Sequence, residues 1–174
     1  KIAILTTGGT IEKSYSEEDG ALENRESLLK QKLLSKLRLP NASVNLKEVM
    51  AKDSLHMLDQ DRQKIYESIR EMMNSVDGVL VLHGTDTLAE TMQYCERQLP
   101  KPEKPIVFTG AMKPAGFDDS DALQNFTEAL FSVQNVDPGY YLVFHGQLFK
   151  GTNVRKNLNS RTFEYADLKN SNQP

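Results

Sequence analysis

The 174-residue chain has one cysteine, Cys95, and no tryptophan. A lone thiol cannot close an internal disulfide, and without clustered cysteines there is no thiolate zinc site. No apolar stretch approaches the roughly 20 residues that a membrane-spanning helix requires. An excess of one charge is lacking too, since 21 Lys and Arg against 24 Asp and Glu leave a net charge of -3. That supplies no broad cationic surface to neutralise phosphates, so nucleic acid is not an expected partner. The opening Lys1-Ile2-Ala3-Ile4-Leu5 shows no secretory segment, and a cytoplasmic protein without membrane attachment is expected. What is present describes a globular domain: 39% hydrophobic and 26% charged residues, with seven Phe and six Tyr to anchor a core. A chain of this length removes about two thirds of its extended surface from water and needs no staple.

Short apolar runs alternate with stretches of helical periodicity. Residues 2–6 read as a buried strand entering the tight loop Thr7-Gly8-Gly9-Thr10. Residues 14–24 are polar with a turn at Asp19-Gly20, after which Leu28, Leu29, Leu33, Leu34 and Leu37 predict a helix ended by Pro40-Asn41. Residues 44–50 predict a strand near a sheet edge, because Asn45, Lys47 and Glu48 interrupt its apolar run. Asp59 is placed to cap a helix with the stripe Ile65, Tyr66, Ile69, Met72 and Met73, and residues 79–82 read as a central strand. Thr87 and Glu90 have capping-box spacing before a helix lined by Leu88, Met92, Cys95 and Leu99, which puts Cys95 in the core. A strand at 106–109, a turn-rich loop at 110–119, a helix marked by Leu123, Phe126, Leu130 and Phe131, and a strand at 140–145 follow. Beyond them only residues 163–168 show a weak pattern, so 146–174 is expected to be a partly extended tail.

This alternation predicts an α/β fold: a single three-layer α/β/α domain with a mainly parallel sheet, Rossmann-like or flavodoxin-like, covering residues 1–174. In such sheets ligands sit beyond the carboxyl ends of the strands, where Thr10, Thr85, Asp86 and the 109–119 loop are expected to meet. Two hydroxyls beside a carboxylate and a glycine-rich backbone suggest nucleophile activation. A threonine hydroxyl is too weak an acid to attack an amide unaided, and Lys156 is a candidate to handle its proton, with Asp86 to orient the lysine. Each residue also has a plainer reading. Thr10 can simply close a turn, Thr85 and Asp86 can cap the next helix, Ser54 can serve a turn, and Lys156 and Lys113 can be solvated. His56, His83 and His145 have no convincing companion ligands, so no metal is expected.

Two segments, Thr6-Thr7-Gly8-Gly9-Thr10-Ile11 and Leu82-His83-Gly84-Thr85-Asp86-Thr87, supported by Thr109-Gly110-Ala111-Met112-Lys113-Pro114, resemble the amino-terminal domain of bacterial-type L-asparaginases. The resemblance covers nearly the whole chain. It implies that Thr10 and Thr85 are the two catalytic threonines, Asp86 the aspartate beside the second, and Lys156 the lysine after the fifth strand. It further implies that Ser54, Gly9 and Gly84 line the substrate, and that Tyr15 is the loop tyrosine that closes over Thr10. Leu55 and His56 depart from the more polar versions of the Ser54 loop, which puts substrate preference in question. Familiar members add a smaller carboxyl-terminal domain that completes the site across a dimer, and these 174 residues contain no counterpart of it.

The implied reaction is hydrolysis of L-asparagine to L-aspartate and ammonia through a threonine acyl-enzyme, with no external cofactor. Either Thr10 or Thr85 can be the first nucleophile. A glutaminase or related amidohydrolase is the enzymatic alternative, and an amino-acid-binding module without turnover the other. The partners expected are a small amino-acid amide and a second copy of the chain, as a homodimer or higher homo-oligomer.

Overall fold

The computed structural model describes residues 1–15, 22–24 and 33–167. Along the chain run β1 (Ile2–Thr6), β2 (Lys13–Tyr15), β3 (Leu22–Asn24), β4 (Val44–Glu48), α1 (Asp59–Met73), β5 (Gly78–Leu82), α2 (Leu88–Gln98), β6 (Pro105–Thr109), α3 (Ala122–Ser132), β7 (Gly139–Phe144), β8 (Gln147–Lys150), β9 (Val154–Asn157) and β10 (Thr162–Tyr165). Six strands form one sheet in the order β4-β1-β5-β6-β7-β8. Its first five members pair in parallel, and β8 turns back antiparallel to β7. Counting only the parallel strands, the order is second-first-third-fourth-fifth, which is the flavodoxin-like winding of the two expected.

Parallel strands covered on both faces need apolar side chains at every position, and β1, β5 and β6 are buried throughout. Their residues alternate between two cores. Ala3, Leu5, Val79, Val81, Ile106 and Phe108 face α1 and α2, where Ile65, Ile69, Met92 and Cys95 meet them. Ile4, Leu80, Leu82 and Val107 face α3, packing with Phe126, Ala129 and Leu130. Cys95 is fully buried as expected, and burial pushes its thiol pKa up to about 12. As Asn45, Lys47 and Glu48 suggest, β4 lies at the sheet edge.

Several local expectations are corrected. Leu58, not Asp59, is the N-cap residue of α1, and Asp61 supplies the carboxylate that accepts the Leu58 N–H at 2.8 Å. Thr87 is the N-cap residue of α2 but makes no capping hydrogen bond, because its hydroxyl donates to Ser54 O at 2.8 Å while Glu90 pairs with Arg62. Phe131 is 68% exposed, since it stands about 100° around the helix from the buried Leu130. Of the leucine-rich helix, Leu28 and Leu29 lie outside the described residues, and Leu34–Lys36 form a 3-10 turn. Asp19 and Gly20 also lie outside them, and the flanking residues pair as β2 and β3.

The largest correction concerns residues 146–167. They form β8 and the antiparallel pair β9-β10, with Phe149, Val154 and Phe163 completing the core on the α1 and α2 side. The sharp return from β7 to β8 is made by His145 and Gly146, both at positive φ (49° and 78°), as a two-residue hairpin with the strands' own twist requires.

Candidate active site

Four loops leave the carboxyl ends of β1, β4, β5 and β6 and converge where the strand order reverses, between β1 and β5. Glycines allow the approach. Gly9, at φ 84°, lies so close to the β5 loop that a Cβ there would stand 2.5 Å from Gly84 Cα. A Cβ on Gly84 would stand 2.5 Å from Ser54 Oγ, one on Gly110 2.4 Å from His83 O, and one on Gly8 2.4 Å from Lys52 N. The residues carried by these loops, Thr10, Ser54 and Thr85, are thereby drawn to one junction.

Thr10 opens a 3-10 turn and is half-buried. Thr85 is buried, and its Oγ1 accepts a hydrogen bond from Lys156 Nζ at 2.8 Å. The same ammonium donates to Asp86 Oδ1 at 2.7 Å. Lys156 reaches across because β9 pairs with β10 and is packed down by Val154 and Phe163, which turns residues otherwise read as a tail into a rigid arm. Its side chain is 19% exposed and that of Asp86 37%, so water screens the pair only in part.

Ser54 Oγ is buried and has no hydrogen-bond partner among the described residues. An unpaired buried hydroxyl costs about 1–3 kcal/mol, a cost that a polar ligand group can offset. The Thr87 hydroxyl ties the Ser54 backbone carbonyl to the start of α2. Gly9, Gly84 and Ser54 are therefore in close contact, Thr85, Asp86 and Lys156 are joined by hydrogen bonds, and Thr10 follows Gly9 in the same loop. Tyr15 ends β2, and its side chain lies outside the described residues. Lys113 is exposed and ion-paired with Asp119, as its solvated reading holds. Among the described residues, no group of three or more His, Cys, Asp or Glu is arranged to hold a metal ion, and no helix is long and apolar enough to cross a membrane.

This geometry joins the two threonine-bearing segments with the distant lysine, and residues 1–171 match the family profile described as "Asparaginase, N-terminal". The chain belongs to the asparaginase family. It is 31% identical to an L-asparaginase of Thermococcus kodakarensis, over 90% of this chain and 47% of that protein. A solved structure of the thermostable L-asparaginase from Thermococcus kodakarensis superposes with a TM-score of 0.84 at 29% identity, over 94% of this chain and 50% of that one. A glutamyl-tRNA(Gln) amidotransferase polypeptide from Methanococcus maripaludis is 29% identical over 92% of this chain and 40% of that protein. The chain spans about half the length of the curated relatives it matches.

Two polar arrangements around this junction have partners that sequence reasoning did not find. In the first, Asp121 clamps the loop after β6. Its carboxylate accepts the backbone N–H groups of Met112 and Lys113 at 3.0 Å and Asn125 Nδ2 at 2.9 Å, and lies 2.8 Å from His145 Nε2. Burial opposes ionisation of Asp121, but the Met112 N–H, the His145 ring and the Lys113 N–H together hold its pKa below the usual value. Asn125 also donates to Gly110 O at 3.0 Å, fixing the glycine that packs on His83.

The second is His83, fully buried between β5 and α2. Its Nδ1 lies 2.8 Å from Gly84 O and its Nε2 2.9 Å from Thr91 Oγ1. Burial dominates the nearby groups and lowers its pKa to about 4, so the ring is neutral near pH 7. An unfolded histidine takes up a proton below about 6.5, whereas this one resists until about 4. The unfolded state therefore binds more protons across that window, and stability falls as pH drops through it, by about 3 kcal/mol in all. Urea unfolding between pH 7 and 4 should show this slope, and His83→Asn, which cannot titrate there, should flatten it. An equal slope in both proteins would remove His83 as its source.

Proposed function

We propose that the protein carrying this chain hydrolyses the side-chain amide of L-asparagine to L-aspartate and ammonia, and that residues 1–174 are its amino-terminal catalytic domain. The observation that carries the reading is the Lys156–Thr85–Asp86 constellation next to the loop in which Thr10 follows Gly9. Thr10 attacks the amide carbon, the carbon–nitrogen bond breaks, and the hydroxyl proton leaves with the nitrogen as ammonia. The resulting ester is then opened by water. Thr85 and Lys156 relay the protons of both steps, and Asp86 steadies the ammonium whenever Lys156 holds the extra proton. Attack by Thr85 first is the variant of this scheme favoured by its direct bond to Lys156. Ser54, with its buried unpaired hydroxyl, receives a polar group at the amino-acid end of the substrate.

The likeness to an amidotransferase polypeptide supports a second reading, in which the amide is that of glutamine. One extra methylene moves the carbonyl relative to Thr10, and a misplacement of this order changes rates strongly. A homo-oligomer is part of the proposal, because Leu55 and Leu158, next to Ser54 and close to Lys156 in the chain, are 66% and 76% exposed and suit an apolar cover. We place the protein in the cytoplasm, where an unpaired buried Cys95 is at home.

Ammonia and acidic product measured with L-asparagine, L-glutamine and D-asparagine test the proposal. Turnover selective for L-asparagine is expected. Selective turnover of glutamine would keep the hydrolase and replace the substrate. Saturable binding of the amino acids with no product from any of them would leave a binding module.

A further inference from the structure

His83 is a buried, neutral, hydrogen-bonding side chain that the scheme above does not use. Its partners determine its tautomer. A carbonyl oxygen can only accept, so the Nδ1 atom that lies 2.8 Å from Gly84 O carries the proton. Nε2 of the neutral ring is then an acceptor, and the Thr91 hydroxyl at 2.9 Å donates to it. The result is a directed chain from α2 through the imidazole to the Gly84 carbonyl.

That carbonyl belongs to the peptide unit joining Gly84 to Thr85. No cis peptide bond is present among the described residues. In a planar trans peptide the C=O and the following N–H point in opposite directions. Holding Gly84 O on the buried ring therefore turns the Thr85 N–H away from the core, on the side of the peptide opposite His83. The unit has little freedom otherwise. A Cβ at Gly9 would touch Gly84 Cα and N at 2.5 and 2.6 Å, a Cβ at Gly110 would touch His83 O at 2.4 Å, and the His83 N–H is bound to Thr109 O at 2.9 Å. What these contacts leave undetermined is rotation of the 84–85 peptide plane, and the Nδ1–H bond removes it.

We propose that His83 is a positioning residue that, by anchoring the Gly84 carbonyl, aims the Thr85 backbone N–H at the oxygen that becomes negative during amide hydrolysis. The inference rests on the hydrolytic reading above and deepens it. A donor aimed in advance stabilises charge in the transition state without reorganising, and loss of one such donor typically lowers kcat by about 10²–10³-fold. His83 itself touches no reacting atom. In the neutral ring Nε2 accepts from Thr91; in an imidazolium Nε2 would donate and that bond would reverse.

The test compares His83→Leu, which fills the space without a donor, with His83→Asn, whose amide can donate from nearly the position of Nδ1. With L-asparagine, His83→Leu should lower kcat about 10²-fold with KM changed by no more than about twofold, and His83→Asn should recover most of the loss. Equal impairment of the two folded variants, or unchanged kcat in His83→Leu, would overturn the proposal while leaving the hydrolytic reading intact. A second measurement does not depend on turnover. Nitrogen-15 spectra of the histidine ring should show protonated Nδ1 and bare Nε2 from pH 8 to 5, and the Thr85 amide resonance should shift when L-aspartate is added. In His83→Leu that amide shift should be lost, with His83→Asn restoring it. A bare Nδ1, or a Thr85 amide indifferent to L-aspartate, would overturn the proposal even for a protein that turns nothing over.

Discussion

Thr85→Ala should lower turnover of L-asparagine by about 10³–10⁴-fold, and Lys156→Met should do nearly the same. Removing both should cost little more than removing either. The expectation follows from how the three groups are joined. Lys156 Nζ donates to Thr85 Oγ1 at 2.8 Å and to Asp86 Oδ1 at 2.7 Å, so in the proposed relay the lysine exchanges protons with the reaction through the threonine hydroxyl. Without Thr85 the ammonium retains Asp86 but has lost its path to the substrate, and without Lys156 the hydroxyl has lost the amine that, in its neutral form, receives its proton. Residues that act as one unit are strongly non-additive, whereas independent contributions multiply. Ammonia release by the two single variants and the double variant, each shown by circular dichroism to be folded, measures this directly. Losses that multiply in the double variant, or full activity in Lys156→Met, would separate the lysine from the threonine and refute the relay.

The reach of the sequence can be judged from the same residues. Thr10, Thr85 and Asp86 are legible because each follows a short apolar run that becomes a buried parallel strand, and the carboxyl ends of such strands gather in one place. The central layer is legible for the same reason, since β1, β5 and β6 are apolar at nearly every position. Lys156 is a different case. Its strand, Val-Arg-Lys-Asn, has one apolar residue, and β8, Gln-Leu-Phe-Lys, has two, too few for a period of two to stand out over four residues. These strands exist through tertiary packing, with Val154 and Phe163 entering the core beside α2, and that is a non-local property. The family resemblance pointed to the lysine, but only the fold explains how it reaches Thr85 and Asp86.

Caps failed for a related reason. Thr87 has the spacing of a capping residue, yet its hydroxyl is committed to Ser54 O, a partner 33 positions away in the chain. Hydroxyls compete between local and distant acceptors, and local sequence does not rank the distant ones. Asp121 shows the same limit. Nothing near it in the chain signals that His145 will sit in a left-handed turn and bring its ring to within 2.8 Å of that carboxylate.

Gly9→Ala should be strongly destabilising, at about 2–5 kcal/mol. Two costs add. The residue sits at φ 84°, where an L side chain is strained by about 1–2 kcal/mol. Its Cβ would also stand 2.5 Å from Gly84 Cα and 2.6 Å from Gly84 N, and backbone cannot swing aside as a side chain can. The two costs can be separated within this chain. Gly146 shares a positive φ of 78° but has open space around its Cβ position, so Gly146→Ala should register the strain alone. Gly116 has open space and no positive φ, and Gly116→Ala should stay within about 0.5 kcal/mol of the parent. The order Gly9, Gly146, Gly116 in urea midpoint is therefore expected, and a Gly9→Ala midpoint no lower than that of Gly146→Ala would show that the two loops part freely. If they are as tightly joined as the distances indicate, relieving the collision must move Gly84, which is backed by Ser54 Oγ on its other side. Thr10 and Thr85 would then separate, and the loss of turnover in Gly9→Ala should exceed what its unfolded fraction explains.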